Sequence, residues 1–174
     1  MRNDRPRLGC NNPLIIRLRL GFAAREAVQQ LEPVRILIVD DFPSWRRFVA
    51  CLLLECPEFQ VVGEASDGLE AIQKSQALQP NLILLDIGLP QLNGLEAARR
   101  ISAVAPASRI LFVSENQCPA VMREALQIGA CTCGYLVKSD ADTELLPALE
   151  AIIHGRQFVS RRLADFTLGD IADG

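Results

Sequence analysis

Between residues 34 and 155 the chain alternates short apolar runs with longer stretches of helical period. The apolar runs are 34–39 (VRILIV), 60–64 (QVVGE), 81–85 (NLILL), 109–113 (RILFV) and 134–137 (GYLV). Their length and apolar density predict five strands. The intervening stretches 44–56, 69–78, 94–104, 119–128 and 142–154 repeat apolar residues every three or four positions and predict helices. In the first, Phe48, Leu52 and Cys56 share one side with Val49 and Leu53 alongside; in the third, Leu95, Ala98, Ile101 and Ala105 keep helical spacing. Ser44, Asn93 and Asp140 are N-cap residue types near the expected openings, and Pro57, Pro80 and Pro106 punctuate helix ends. Near-continuous apolar strands fit a parallel sheet covered on both faces. Five such units predict an α/β domain, a five-stranded parallel sheet doubly wound as (βα)5.

Composition narrows what this domain can do. The chain has 174 residues, 49% hydrophobic and 22% charged, enough for one domain with a sizeable core. The net charge of −3 and a pI near 5.2 argue against a nucleic-acid binder along its whole length. The charge is unevenly placed: residues 1–33 hold six Arg against three acids, a net of +3, and the remainder carries −6. We read 1–33 as a poorly ordered basic extension, 34–159 as the domain and 160–174 as a short tail without room for a further domain. No apolar run approaches the roughly 18 residues of a membrane span, and Arg17 and Arg19 interrupt the one stretch resembling a signal core. A cytoplasmic protein with no membrane contact is expected. The six Cys form no C-x-x-C pair and His154 is the single His, so a zinc site is not expected. Cys51 and Cys56 read as buried thiols, while Cys131 and Cys133 leave a redox role open.

In an open parallel sheet, ligands bind beyond the carboxyl ends of the strands, where strand order reverses. The residues at those ends carry the chemistry. Strand one ends in Asp40-Asp41, strand three in Asp86, strand four in Ser114 and strand five in Lys138. Singly, each is an ordinary capping or solvated residue; together on successive strand ends they form a constellation. Clustered carboxylates repel and call for a hard cation with oxygen ligands, Mg2+. An Asp beside such a cation can attack a phosphoryl group and form an acyl phosphate. The metal and Lys138 would neutralise the transferring group, and Ser114 would donate to one of its oxygens.

These residues carry a resemblance. Asp40-Asp41 after ILIV, Asp86 after LILL, Leu89-Pro90 and Asn93-Gly94 in the next loop, Ser114 after LFV and the run Tyr135-Leu-Val-Lys138 make residues 34 to about 159 similar to response-regulator receiver domains. The stretch from Leu136 to Ser160 resembles their NarL/FixJ-like branch. The resemblance implies a flavodoxin/CheY-like fold with strand order 2-1-3-4-5. It implies Asp86 as phosphoacceptor, and Mg2+ held by Asp41, by Asp40 through water, by Asp86 and by the backbone carbonyl of Gly88. Lys138 would pair with the phosphoryl group, and Ser114 and Tyr135 would form the switch. Signal would leave through the face made by the fourth helix, fifth strand and fifth helix, which is also where two copies would pair as a homodimer. The implied partners are a sensor histidine kinase or phosphotransfer protein and a downstream protein target. The protein would be no enzyme in the ordinary sense, only a phosphoacceptor that catalyses its own phosphorylation and a slow dephosphorylation.

Four departures stand out. Ser139 follows Lys138 where many receivers have Pro. Glu115 follows the switch Ser where a small residue is usual. Gly88 offers no side chain to orient hydrolytic water, a task that Asn116 would share. Only 14 residues follow Ser160, and they show no helix-turn-helix pattern, so direct DNA binding is not expected. A pseudo-receiver acting without phosphorylation, or a truncated transcriptional regulator, remains as an alternative. A haloacid-dehalogenase-type phosphatase would need a second Asp at residue 88, and a dinucleotide-binding module a Gly-rich turn in place of Asp-Asp-Phe-Pro.

Overall fold

The computed structural model describes residues 32–129 and 132–166, with backbone alone at Thr132 and Cys133. The basic extension up to residue 31, Cys131, the side chain of Cys133 and residues 167–174 lie outside the described residues.

The apolar runs become strands β1 (Val34–Val39), β2 (Phe59–Ala65), β3 (Leu82–Asp86), β4 (Arg109–Ser114) and β5 (Thr132–Val137). They pair in parallel in the expected order 2-1-3-4-5, and a sixth strand, β6 (Phe158–Val159), extends the β5 edge. Two residues carry no periodicity, which is why the five-strand expectation missed it. Between the strands run α1 (Pro43–Leu54), α2 (Gly68–Leu78), α3 (Gly94–Val104), α4 (Pro119–Leu126) and α5 (Ala141–Ile153), followed by the single-turn α6 (Arg161–Ala164).

Alternation along each strand builds two cores. Leu37, Val39, Ile83, Leu85, Ile110, Phe112, Tyr135 and Val137 cluster with Ala71 of α2, Ala97, Ala98 and Ile101 of α3 and Met122 and Ala125 of α4. The intervening residues, among them Ile36, Ile38, Leu84, Leu111 and Leu136, are buried on the other face, the side of Val49 and Leu53 of α1 and Leu145, Leu149 and Ile152 of α5. None of the described helices is long and apolar enough to cross a membrane.

Four local expectations need correction. Helix α1 starts at Pro43 with Phe42 as N-cap, not at Ser44; the fixed φ of proline suits the first helical position and its missing N–H is lost to no one. Of the apolar positions expected to face inward, Val49 and Leu53 of the helix and Cys56 just beyond it are buried, and Leu52 is half-buried. Phe48 is instead 38% and Leu54 81% exposed, and Cys51, expected buried, is exposed as well. Asn93 caps α3 as expected, its Oδ1 accepting from Glu96 N at 2.9 Å. Asp140 stands before α5 but makes no capping bond. Residues 160–166, read as tail, continue the packing instead: Ser160 is fully buried, and Leu163 joins the larger core.

The turn after β3 is closed by contact. Gly94 N donates to the Ile87 carbonyl at 3.0 Å, and a Cβ on Gly94 would lie 1.9 Å from the Asp86 carbonyl oxygen. Gly94→Ala is therefore expected to lower stability by about 1–3 kcal/mol, the range of over-packed sites. Urea denaturation would show this as a lower midpoint at unchanged slope.

Candidate functional site

Register decides which side chains meet. Val39 pairs with Leu85, so Asp40 and Asp86 leave β1 and β3 at the same level. Asp86 pairs with Val113, and Ser114 with Val137, so Ser114 and Lys138 sit one and two residues further out on β4 and β5. The order reverses between β1 and β3, where β2 lies to one side and β3 to the other. All four strand ends open onto that crevice.

The long Lys138 stem reaches back across it. Its Nζ lies 2.6 Å from Asp40 Oδ2 and 3.0 Å from Asp86 Oδ2, and all three residues are buried. Asp40 Oδ1 accepts from Phe42 N at 2.9 Å, and Asp86 Oδ1 accepts from Gly88 N at 3.2 Å. Burial pushes the Asp40 carboxyl above its ordinary pKa, and the Lys138 and Phe42 donors recover only part of the shift. Burial alone would lower Lys138; the ion pairs with Asp40 and Asp86 outweigh it and hold the ammonium charged above its usual range.

The cluster has the ligand set to hold a cation. Asp40, Asp41 and Asp86 each offer a carboxylate oxygen, all within 4.8 Å of one another. Asp41 Oδ1 is buried without a hydrogen-bond partner, an arrangement that costs free energy unless something positive fills the gap. An all-oxygen set suits Mg2+. Residue 88 adjoins the same cluster: a Cβ there would stand 3.7 and 4.0 Å from the Asp86 carboxylate oxygens.

Ser114 and Tyr135 lie beside the cluster. The buried Ser114 Oγ accepts from Asn116 N at 3.1 Å, and the Tyr135 hydroxyl donates to the Asn116 carbonyl at 2.8 Å. Burial raises the Tyr135 phenol, with Ser114 partly opposing. The two expected switch residues therefore meet on one residue of the β4–α4 loop. No cis peptide occurs among the described residues, so the bond after Lys138 is trans.

Sequence reasoning missed three parts of this site. Phe42, Trp45 and Phe48 follow the Asp pair at helical spacing and form an aromatic wall. Trp45 and Phe48 pack as a tilted pair with centroids 5.3 Å apart, and Lys138 Nζ lies 5.8 Å from the Phe42 ring and 5.5 Å from the Trp45 ring. With Glu115, Lys138 and Asp142 they line an open hollow of about 490 Å3. Arg46 donates to the Asp40 carbonyl at 2.6 Å and to Glu64 at 2.8 Å, steadying the turn out of β1. Spacing could have found the aromatics; the Arg46 bridge depends on β2 lying beside β1, which no local pattern shows. Third, Arg162 pairs with Asp140, two residues beyond Lys138.

Comparison with known proteins agrees with this geometry. The model of the response regulator receiver domain matches residues 36–150. The transcriptional activator protein ExaE of Pseudomonas putida is 38% identical over 129 residues, 74% of this chain and 59% of that protein. The nitrate/nitrite response regulator protein NarL of Escherichia coli K12 is 37% identical over 132 residues, 76% of this chain and 60% of that one. The chain thus spans less than two thirds of these relatives. Among solved structures, a two-component response regulator of the LuxR family from Aurantimonas superposes with a TM-score of 0.72 at 35% identity, covering 77% of this chain and 94% of that one. With the family model running from β1 into α5, and relatives above thirty per cent identity along the same stretch, the chain belongs to the family of response regulator receiver domains.

Proposed function

We propose that this receiver accepts a phosphoryl group on Asp86 from the phosphohistidine of a sensor histidine kinase or phosphotransfer protein. The observation that carries the reading is the buried Lys138 ammonium shared between Asp40 and Asp86, with the buried Asp41 Oδ1 beside it lacking a hydrogen-bond partner. An Asp86 oxygen attacks phosphorus, the O–P bond forms, the N–P bond breaks, and the imidazole leaves with that electron pair and takes up a proton. Asp40, Asp41, Asp86 and the Gly88 carbonyl would hold Mg2+, which when bound screens the charge that the three carboxylates and the phosphoryl group bring together. Lys138 keeps one phosphoryl oxygen paired. Ser114 donates to another, and its movement frees room for Tyr135, biasing the receiver between two conformations.

Output in this reading is protein contact through the face of α4, β5 and α5, where β6 now lies along the β5 edge. Transcriptional activation belongs by name to ExaE; for this chain a downstream protein target is our reading, with a homodimer through the same face as one form of it. The exposed Glu115 at the hollow favours a second reading, a pseudo-receiver that binds partners without phosphorylation.

Three outcomes test these readings. Acetyl phosphate with Mg2+ is expected to label residues 34–174, and Asp86→Ala or chelation to abolish labelling; a label that survives in Asp86→Ala refutes the assignment. Glu115→Gln is expected to raise the labelling rate about fivefold at low salt, the effect of removing about 1 kcal/mol of repulsion, and to lose that advantage in high salt. An equal rate at every ionic strength would show that Glu115 does not screen the site. The phospho-Asp86 lifetime is expected to be long and to shorten several-fold in Gly88→Asn, as followed by loss of label after donor removal.

A further inference from the structure

Lys138 holds the acidic cluster, and two groups of one short segment hold Lys138 from either side. Before it, the Val137 N–H donates to Ser160 Oγ at 2.9 Å in a fully buried bond, while Ser160 N donates to the Tyr135 carbonyl at 2.9 Å. Ser160 therefore continues the β5–β6 ladder, begun by Gly134 with Phe158 and Tyr135 with Val159, by lending its side chain where the strand itself ends. After it, residues Lys138–Asp140 form a 3-10 turn, and both carboxylate oxygens of Asp140 accept from Arg162 Nε at 2.8 Å. Leu163, next in sequence, is buried in the core that contains Tyr135 and Val137, which anchors the segment independently of either polar contact.

A lysine side chain has four rotatable bonds, so an ammonium placed between two carboxylates depends on where its backbone is held. On the flanks of Lys138, Ser160 holds the Val137 N–H and Arg162 the Asp140 carboxylate, while Thr143 Oγ1 donates to the Asp140 carbonyl at 3.1 Å. We propose that Ser160 and Arg162 are positioning residues for Lys138, so that the segment after α5 sets how firmly the ammonium is presented to Asp86. Coupling of this kind runs both ways: a partner that pulls on residues 158–166 loosens Lys138, and an anion that engages Lys138 tightens the segment. The consequence for phosphoryl acceptance rests on the function proposed above; the clamp itself does not.

Lys74 and Lys138 are the only lysines in the sequence, which gives the test an internal reference. Lys74 side chain is 39% exposed and Lys138 5%. The full-length protein, without added metal, is treated with limiting amine-reactive acylating reagent, and the Lys138 to Lys74 labelling ratio is read by peptide mass spectrometry. Ser160→Ala leaves the Val137 N–H without its acceptor and is expected to raise the ratio about fivefold, equal to about 1 kcal/mol. Arg162→Gln, on the exposed side and harmless to folding, is expected to raise it about twofold. Asp140→Asn should match Arg162→Gln, and the double variant should add nothing further. An unchanged ratio in the three single variants overturns the proposal, including the case in which Lys138 and Lys74 labelling rise equally, the mark of global unfolding. Asp86 labelling by acetyl phosphate is measured alongside and is expected to slow in the same order. Absence of that labelling in the unaltered protein would count against phosphoryl acceptance, while the lysine ratio still judges the clamp.

Discussion

Three carboxylates sit at the carboxyl ends of two adjacent strands and repel one another, and a single ammonium keeps that arrangement standing. Lys138 Nζ lies within ion-pair distance of Asp40 and Asp86 at a point where all three side chains are shielded from water. Shielding strengthens the attraction, and it also makes any unpaired charge expensive. The remaining geometry can be read as support for this one contact. The sheet register brings β1 and β3 to the same level. Arg46 ties down the carbonyl of Asp40, Gly88 N–H turns the Asp86 carboxylate, and the close packing of Gly94 on the Asp86 carbonyl fixes the chain that follows.

Much of this was legible before any coordinates. The five strand runs, their helices and the strand-end residues Asp40, Asp41, Asp86, Ser114 and Lys138 follow from alternation and from the rule that parallel sheets bind at their carboxyl ends. What escaped had physical reasons. A strand of two residues has no period. The apolar positions of α1 are broad enough for periodicity to admit Phe48 and Cys51 to the core, and only packing against the sheet selects Val49 and Leu53 and leaves Phe48 and Cys51 exposed. The Arg46–Glu64 and Arg162–Asp140 pairs join residues 18 and 22 positions apart through tertiary packing, which sequence spacing does not encode.

The aromatic wall of Phe42, Trp45 and Phe48 gives the site an unequal mouth. Its lining joins three aromatic rings to the carboxylates of Glu115 and Asp142 and the Lys138 ammonium. Such a mouth favours a donor that brings its own surface, because an apolar wall stabilises a partner that covers it and does little for a small hydrated anion.

The strand-end groups also have a temporal meaning. Asp40, Asp86, Ser114 and Lys138 are spread over nearly one hundred residues and share no local segment, so no isolated hairpin or helix contains even two strands of the site. Parallel pairings of this kind close late, because each demands a long loop before any contact forms. A nascent or partly unfolded chain therefore has the residues but no site. An assembled site is therefore itself a certificate that the sheet has been completed.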